Sequence, residues 1–374
     1  MIYLDYNATT PTDPRVAEAM LPYLRELHGN PVSQHEWGRR NKAAVENARA
    51  EVARLINAEP DEIVFNSGGS EANNHVVKGL GLARAGRGGS IVISAVEHAA
   101  VREPCSWLAR FGITTVHVGV DRHGRVEPAA VREAIRPDTF LVSVMLANNE
   151  VGTIQPVAEI AAFAHEAGAL MHSDAAQAVG KIPVDVKALG VDFLTIAGHK
   201  FYAPGGIGAL FIRRGVALES LVQGVGHESG RRAGTAAVAN IVALGEAARL
   251  ARESSDGPEI RALRDRLHIG LTRELGDDAV LDGHPELRLP NTLNIGFRGV
   301  LSTDLLTALP GIGASQGSAC HFDRHEPSAV LQAMAVPREI ALGAIRFSVG
   351  RFTTAPQIDE AVRQIVAAYR TLRG

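Results

Sequence analysis

The sequence predicts an α/β fold, with a mainly parallel sheet covered by helices on both faces and joined to a smaller α+β unit. Three observations predict it. Short apolar runs alternate with helical stretches between residues 63 and 212. The polar residues of that region collect just after the runs. The chain then changes character at Arg252-Glu253-Ser254-Ser255-Asp256-Gly257-Pro258, a polar stretch with a breaker. A large domain over 12–255 and a small domain built from 1–11 and 256–374 follow from these marks, and 374 residues suit two such units.

The elements read in order as follows. Tyr3-Leu4-Asp5 is a short apolar segment that ends in the polar turn Asn7-Ala8-Thr9-Thr10-Pro11. Pro14 to Leu27 and Asn41 to Leu55 carry apolar residues at helical spacing (Val16, Met20, Leu24; Val45, Ala48, Val52). Ile63-Val64-Phe65 is a strand, Asn66-Ser67-Gly68-Gly69-Ser70 a glycine-centred loop and Glu71 to Leu82 a helix. Further strand-like runs are Ile91 to Ile93, Thr114 to Val118, Phe140 to Leu146, Ala169 to Met171, Phe193 to Ile196 and Ala209 to Ile212. Val157 to Glu166 is the clearest helix between them. Beyond the breaker come a helix (Ile260 to Leu275), a strand (Thr292 to Gly296), a Gly- and Ser-rich segment holding Cys320, a strand (Ala344 to Val349) and a terminal helix.

Composition narrows the function classes. Net charge is −3 with both signs interspersed, and no basic face or arginine-rich tail is present, so direct nucleic-acid binding is not supported. The most apolar long stretch, Ala233 to Leu250, is broken by Asn240 and Glu246, whereas a membrane span needs about 20 apolar residues. Two cysteines in so long a chain argue against a disulfide framework and for a reducing cytoplasm. The N-terminus reads as a strand and turn, not as a signal peptide.

Four strand ends carry the chemistry: Glu97-His98, Asn148-Asn149-Glu150, Asp174-Ala175-Ala176-Gln177 and His199-Lys200. Desolvation at the end of a buried strand lowers a lysine pKa, so the Lys200 amine can attack a carbonyl carbon, most commonly the aldehyde of pyridoxal phosphate. Asp174 precedes Lys200 by one strand–helix–strand unit, so both can reach one ring. A carboxylate there keeps a pyridine nitrogen protonated. His98 could stack on the ring and shuttle protons near neutral pH. The strand–glycine loop–helix at residues 63–82 suits a phosphate, although it is neither a Walker loop nor a dinucleotide fingerprint. Taken singly, each of these residues is more often a helix cap or a satisfied polar group. Their joint occurrence at successive strand ends carries the reading.

The motifs YLDYNATTPTDPRV, GNPVSQHEWG, NSGGSEANNHVVKG, VEHAAV, NNEVGTIQP, HSDAAQAVGK, GHKFYAPGGIGALFIRR, RRAGT, SQGSACH and IRFSVGRFTT span essentially the whole chain. In these the sequence resembles the cysteine desulfurases of the NifS/IscS type, in the pyridoxal-phosphate-dependent class V aminotransferase family. The resemblance implies the aspartate-aminotransferase-like fold (fold type I) with a seven-stranded large-domain sheet. It implies that Lys200 carries the cofactor, His98 stacks on it, Asp174 meets the pyridine nitrogen and Gln177 the ring hydroxyl. Ser70, His199 and the backbone of Gly69 would hold the phosphate, with Thr235 reaching it from the neighbouring subunit of a homodimer. Asn149 would lie beside the cofactor and, with Arg346, receive the substrate carboxylate, for which a bidentate arginine is apt.

Cys320 sits in SQGSACHFDRHEPSAV, a glycine-, serine- and charge-rich segment that reads as a loop. The resemblance places it at the persulfide-forming position. L-Cysteine would displace Lys200 and lose its α-proton, after which the Cys320 thiolate would take the sulfur and alanine would leave. The loop has the length of the NifS/IscS group, long enough to carry sulfur to a separate acceptor protein. Cys105 reads as structural. His321, Asp323, His325 and Glu326 lack the rigid spacing of a metal site, so no metal is expected.

Three departures from the family pattern stand out. Ala197 occupies a position where the family usually has serine, Gln223 to Glu228 is altered, and His321-Phe322-Asp323 follows the cysteine. Cys-His with a downstream Pro-Ser-Ala-Val-Leu is also similar to selenocysteine lyases and to the desulfurases of DNA phosphorothioation (DndA type). The lyases carry an aspartate right after the stacking histidine, where this chain has Ala99. Another class V aminotransferase reaction would have no need of Cys320. The sulfur could serve iron–sulfur assembly, tRNA or cofactor thiolation, or DNA modification.

Overall fold

The computed structural model describes residues 1–316 and 326–374. Twelve strands occur among them: β1 (Ile2–Tyr3), β2 (Ile63–Asn66), β3 (Gly89–Ser94), β4 (Ile113–Val118), β5 (Thr139–Ser143), β6 (Leu170–Asp174), β7 (Phe193–Ala197), β8 (Gly208–Ile212), β9 (Ala279–Asp282), β10 (Thr292–Phe297), β11 (Ile312–Gly313) and β12 (Ala344–Ser348). The main sheet has seven strands in the order β2-β8-β7-β6-β5-β3-β4. Each of the seven apolar runs predicted to be a strand between residues 63 and 212 is one of its members.

From β4 to β7 the neighbours are parallel, and helices cross between them. The exception is β8, antiparallel to both β7 and β2. Only residues 198–207 connect β7 to β8, and they hold a single short turn of helix. That connection is too short for a crossover, so the chain doubles back beside the strand it has just left. Strands β5 to β8 are buried on both faces, apart from the entry residue Leu170, which explains runs such as Phe193-Leu194-Thr195-Ile196 that show no alternation.

Helix boundaries follow caps more than periodicity. The second helix starts at Glu36, five residues before the predicted start at Asn41, because the His35 side chain caps it by accepting from Gly38 N–H. The helix after the glycine loop spans Gly69–Leu82 and so includes the loop's second glycine. Val157–Glu166 falls where the periodicity puts it. The strands β9 and β11 were not legible, being four and two residues long.

A second apolar core forms around the antiparallel sheet β12-β10-β9 and the helices Gly257–Leu275 and Ala355–Arg373. Leu4 from the N-terminal segment is fully buried in this core, and β1 pairs with β11. Residues 5–10 then run back to the main sheet, where Thr10 N–H donates to the His199 carbonyl at 2.9 Å. The N-terminus therefore belongs to the second core and also lies across the end of β7. Among the described residues no helix is long and apolar enough to cross a membrane.

Candidate active site

Fully buried β7 ends at Ala197, and a tight turn, Gly198–Lys200, sets Lys200 just beyond it. Gly198 is required there, because a Cβ would come within 2.9 Å of the Ile207 carbonyl. The Lys200 Nζ donates to the carbonyl oxygens of Asn7 at 2.6 Å and Ala8 at 2.8 Å. Burial pushes its pKa down to about 8, helped by the Arg346 guanidinium and opposed by Asp174 and Asp5. A lysine held this way keeps an appreciable neutral fraction near neutral pH.

Asp174 ends the neighbouring strand β6 and is buried. Its Oδ1 accepts from Ala176 N–H at 2.9 Å and its Oδ2 from Asn73 Nδ2 at 2.7 Å. Beneath it runs a chain of buried hydrogen bonds whose direction can be worked out. A carboxylate only accepts, so Asn73 turns its amide nitrogen to Asp174 and its oxygen to Thr195, whose hydroxyl donates at 2.7 Å. The Thr195 oxygen then accepts from His172 Nε2 at 3.1 Å, and His172 Nδ1 accepts from Ser143 at 2.8 Å. Burial keeps His172 neutral, with a pKa of about 4. Every donor in the chain from Ser143 points toward the carboxylate and stabilises its negative charge.

His98 caps the helix Ala99–Leu108, its Nδ1 accepting from Ala100 N–H at 3.1 Å. The neutral ring therefore carries its proton on Nε2. The ring is exposed at the mouth of the site, yet the protein packed around it lowers its pKa by desolvation. Asp174 opposes that shift, and Lys200 and Arg102 reinforce it. An open groove of about 680 Å³ is lined by both His98 and Ser70.

Ser70 and Gly69 open the helix Gly69–Leu82, whose N-cap Gly68 has φ +140°, a conformation that favours glycine. A Cβ on Gly69 would lie 3.4 Å from the Ala197 Cβ, so the first helical turn sits directly over the position where family members usually carry serine. His199 is half-buried, its Nδ1 3.2 Å from the Thr9 hydroxyl. Burial, Lys200 and Lys181 depress its pKa to about 4.

Gln177 is buried, and its Nε2 donates to the Asn7 carbonyl at 3.0 Å. Arg346, on β12, pairs with Asp5 at 2.8 Å and donates to the Asn149 carbonyl at 2.9 Å and to the Ser315 hydroxyl at 2.8 Å. The guanidinium expected to receive a substrate carboxylate is thus already held by a carboxylate of its own chain. Asn149 is half-buried beside it. Thr235 is exposed, on a loop that Arg232 ties to Glu71 in the first turn of the helix Gly69–Leu82. Cys320, with His321, Asp323 and His325, lies outside the described residues. What flanks it is defined. Ser315 exchanges backbone hydrogen bonds with Arg346, and Ser328 caps the helix Ala329–Ala333. Cys105 is buried in the helix Ala99–Leu108, and burial drives its thiol pKa up to about 12, so it is no nucleophile.

Sequence reasoning gave no role to Asn7, His172 and Lys181, and it placed Glu97 at a strand end without saying what it does. Asn7 is the hub: its carbonyl accepts from Lys200 and Gln177, its Oδ1 from Lys181 and Asn291, and its Nδ2 donates to Thr292. Glu97 is fully buried, and its Oε1 accepts from the Ser94 hydroxyl and from Met145 N–H, tying the His98 loop to the segment that leads into Asn149. Burial raises its pKa to about 8. The raised value means that the folded state holds a proton the unfolded chain gives up near the ordinary glutamate value of 4.5. The associated stability is full below that value and is lost as pH rises through about 8. Glu97→Gln is expected to flatten the fall of the unfolding midpoint across this window. It should remove up to about 1.4 kcal/mol of stability change per pH unit, as read by thermal unfolding at a series of pH values.

A lysine, a carboxylate, a histidine and a helix N-terminus gathered at the ends of parallel strands define a pyridoxal-phosphate enzyme of fold type I. The donor set fits the cofactor: an amine for its aldehyde, a carboxylate for its ring nitrogen, an amide N–H for its ring oxygen and open backbone N–H groups for its phosphate. The chain belongs to the class V aminotransferase family, whose model matches residues 2–361. It is 46% identical to the cysteine desulfurase IscS of Anaeromyxobacter dehalogenans over 377 aligned residues, covering 100% of this chain and 93% of that protein. Its structure resembles that of a NifS-like protein with a TM-score of 0.92 at 36% identity, covering 99% of this chain and 100% of the other. It also resembles DndA from Streptomyces lividans, with a TM-score of 0.75 at 38% identity over 91% of this chain and 97% of the other.

Proposed function

We infer that this protein is a cysteine desulfurase. It takes L-cysteine, releases L-alanine and leaves the sulfur as a persulfide on Cys320. The observation that carries this reading is the Lys200 amine at the end of β7, with a pKa of about 8, beside the buried Asp174 at the end of β6, each of whose oxygens accepts one hydrogen bond. Support for the substrate comes from relatives matched along the whole chain and named cysteine desulfurases.

Bound pyridoxal phosphate supplies the sink for the electrons freed when the substrate's Cα–H bond breaks. The chain's own groups do the rest. Lys200 would hold the cofactor, and its free neutral amine would be the base for the α-proton. Asp174 would keep the ring nitrogen protonated, Gln177 would donate to the ring oxygen, and His98, with its proton on Nε2, would lie against the ring. Gly69, Ser70 and His199 hold the phosphate; His199 does so as a neutral ring. Arg346 and Asn149 receive the substrate carboxylate, which must displace or share Asp5.

The Cys320 thiolate attacks the substrate sulfur. An S–S bond forms, the Cβ–S bond breaks, and a proton on Cβ completes alanine. An acceptor protein, or a reductant that releases sulfide, then discharges the persulfide. Thr235, exposed on each subunit, completes the partner's phosphate site in a homodimer, and we place the enzyme in the cytoplasm. Ala99 after His98 favours a desulfurase over a selenocysteine lyase. The likeness to DndA supports a second reading of the destination alone, in which the sulfur goes to DNA phosphorothioation.

The test measures alanine and sulfide released from L-cysteine with a reductant, comparing wild type with Cys320→Ser at matched cofactor content. Wild type should release both. The variant should keep its yellow cofactor and lose both products by on the order of a hundredfold or more. Full activity in the variant would point to a lyase or transaminase reaction.

A further inference from the structure

Gln177 can meet the cofactor only if its amide is turned the right way round, and nothing in the Asp-Ala-Ala-Gln motif fixes that. Two partners of opposite character do. On one side, Lys181 Nζ lies 2.7 Å from Gln177 Oε1. In its protonated form that amine has only N–H groups to offer, so it selects the oxygen. On the other side, the Asn7 carbonyl lies 3.0 Å from Gln177 Nε2 and can only accept. The same carbonyl accepts from Lys200 Nζ at 2.6 Å, so the nitrogen end of Gln177 is the end turned toward the reactive lysine.

Among the described residues Lys181 has no carboxylate within bonding distance; its partners there are the neutral oxygens of Gln177 and of Asn7 Oδ1, the latter at 3.0 Å. It is half-buried and lines, with Lys200, Tyr6 and Tyr202, a cavity of about 400 Å³. Crowding by protein atoms pushes its pKa well below that of an ordinary lysine, and the charges of Lys200 and Arg346 push the same way. The chain places a second basic side chain in an already positive corner, at some cost in electrostatic energy, and connects it to Gln177 four residues earlier.

We propose that Lys181 is a positioning residue that locks the Gln177 amide with its oxygen away from the cofactor and its N–H toward the ring's 3-oxygen. This rests on the assignment of Gln177 to that oxygen. A donor at the 3-oxygen stabilises its negative charge. Without the donor, the proton shared with that oxygen is harder to remove. The pH at which the bound cofactor's visible absorbance changes then rises.

The experiment titrates that absorbance in the holoenzyme for wild type, Lys181→Met, Gln177→Leu and the double variant. Lys181→Leu serves where methionine does not pack. The expected result is an upward shift of about one pH unit for Lys181→Met, a similar shift for Gln177→Leu, and no further shift when the two are combined. A Lys181→Met shift that persists undiminished in the Gln177→Leu background would mean that Lys181 acts through charge alone, and overturns the proposal. So does an unchanged midpoint in Lys181→Met when Gln177→Leu shifts it. If Gln177→Leu leaves the midpoint in place, the assignment of Gln177 to the ring fails and the proposal falls with it. The Lys200 and Asp174 roles would stand.

Discussion

Replacing Lys200 with alanine is expected to abolish alanine and sulfide formation, a loss on the order of a thousandfold or more. The fold should survive. The side chain is half-buried and its bonds go to two backbone carbonyls, of which the Asn7 oxygen keeps Gln177 as a donor. Thermal unfolding of the cofactor-free proteins should therefore move little, while the variant loses the absorbance of covalently attached cofactor. Wild type adds a pH signature. At pH 7 an amine titrating near 8 is about one-tenth neutral, against less than about one-thousandth for an ordinary lysine. Since only the neutral amine attacks an aldehyde, cofactor uptake by the cofactor-free enzyme should speed up about tenfold per pH unit below 8 and level off above it. A rate still climbing tenfold per unit well above that value would mean that the pocket does not depress the amine.

The second large effect is expected at Asp174. Asp174→Asn keeps size and shape but removes the charge, and its amide nitrogen must face one of two buried donors, Ala176 N–H or Asn73 Nδ2. Activity should fall on the order of a hundredfold or more, with cofactor still bound. Stability should fall by about 1–3 kcal/mol, from the buried donor left unmatched. A structural carboxylate would give the second result without the first. Turnover and unfolding, measured on the same preparations, separate the two.

Lys200, Asp174 and His98 were legible because each follows an apolar run, and in a parallel sheet the strand ends are where polar groups can meet. The structure couples them: the charges of Asp174 and Lys200 both act on His98. The support under these residues was harder to see. Asn7 touches Gln177, Lys181 and Lys200 across 170 or more positions, so no local spacing announces it. His172 and Thr195 did carry a weak signal, as polar residues inside fully buried strands, but their partners depend on which strands are neighbours. The reversal of β8 was implied by its short connection to β7. The early start of the second helix turned on a capping histidine, a residue less common in that role than Ser, Asp or Asn.

The central claim is that sulfur passes through Cys320, and the most direct measurement is intact mass. The holoenzyme is mixed with L-cysteine in the absence of any reductant or acceptor, then weighed and digested. The account predicts one sulfur atom added per chain, located on the peptide containing Cys320, and one alanine released per chain in a single burst. Cys105, buried with its thiol pKa near 12, should stay unmodified. Sulfur on Cys105, or steady alanine release with no sulfur gained at Cys320, would contradict it.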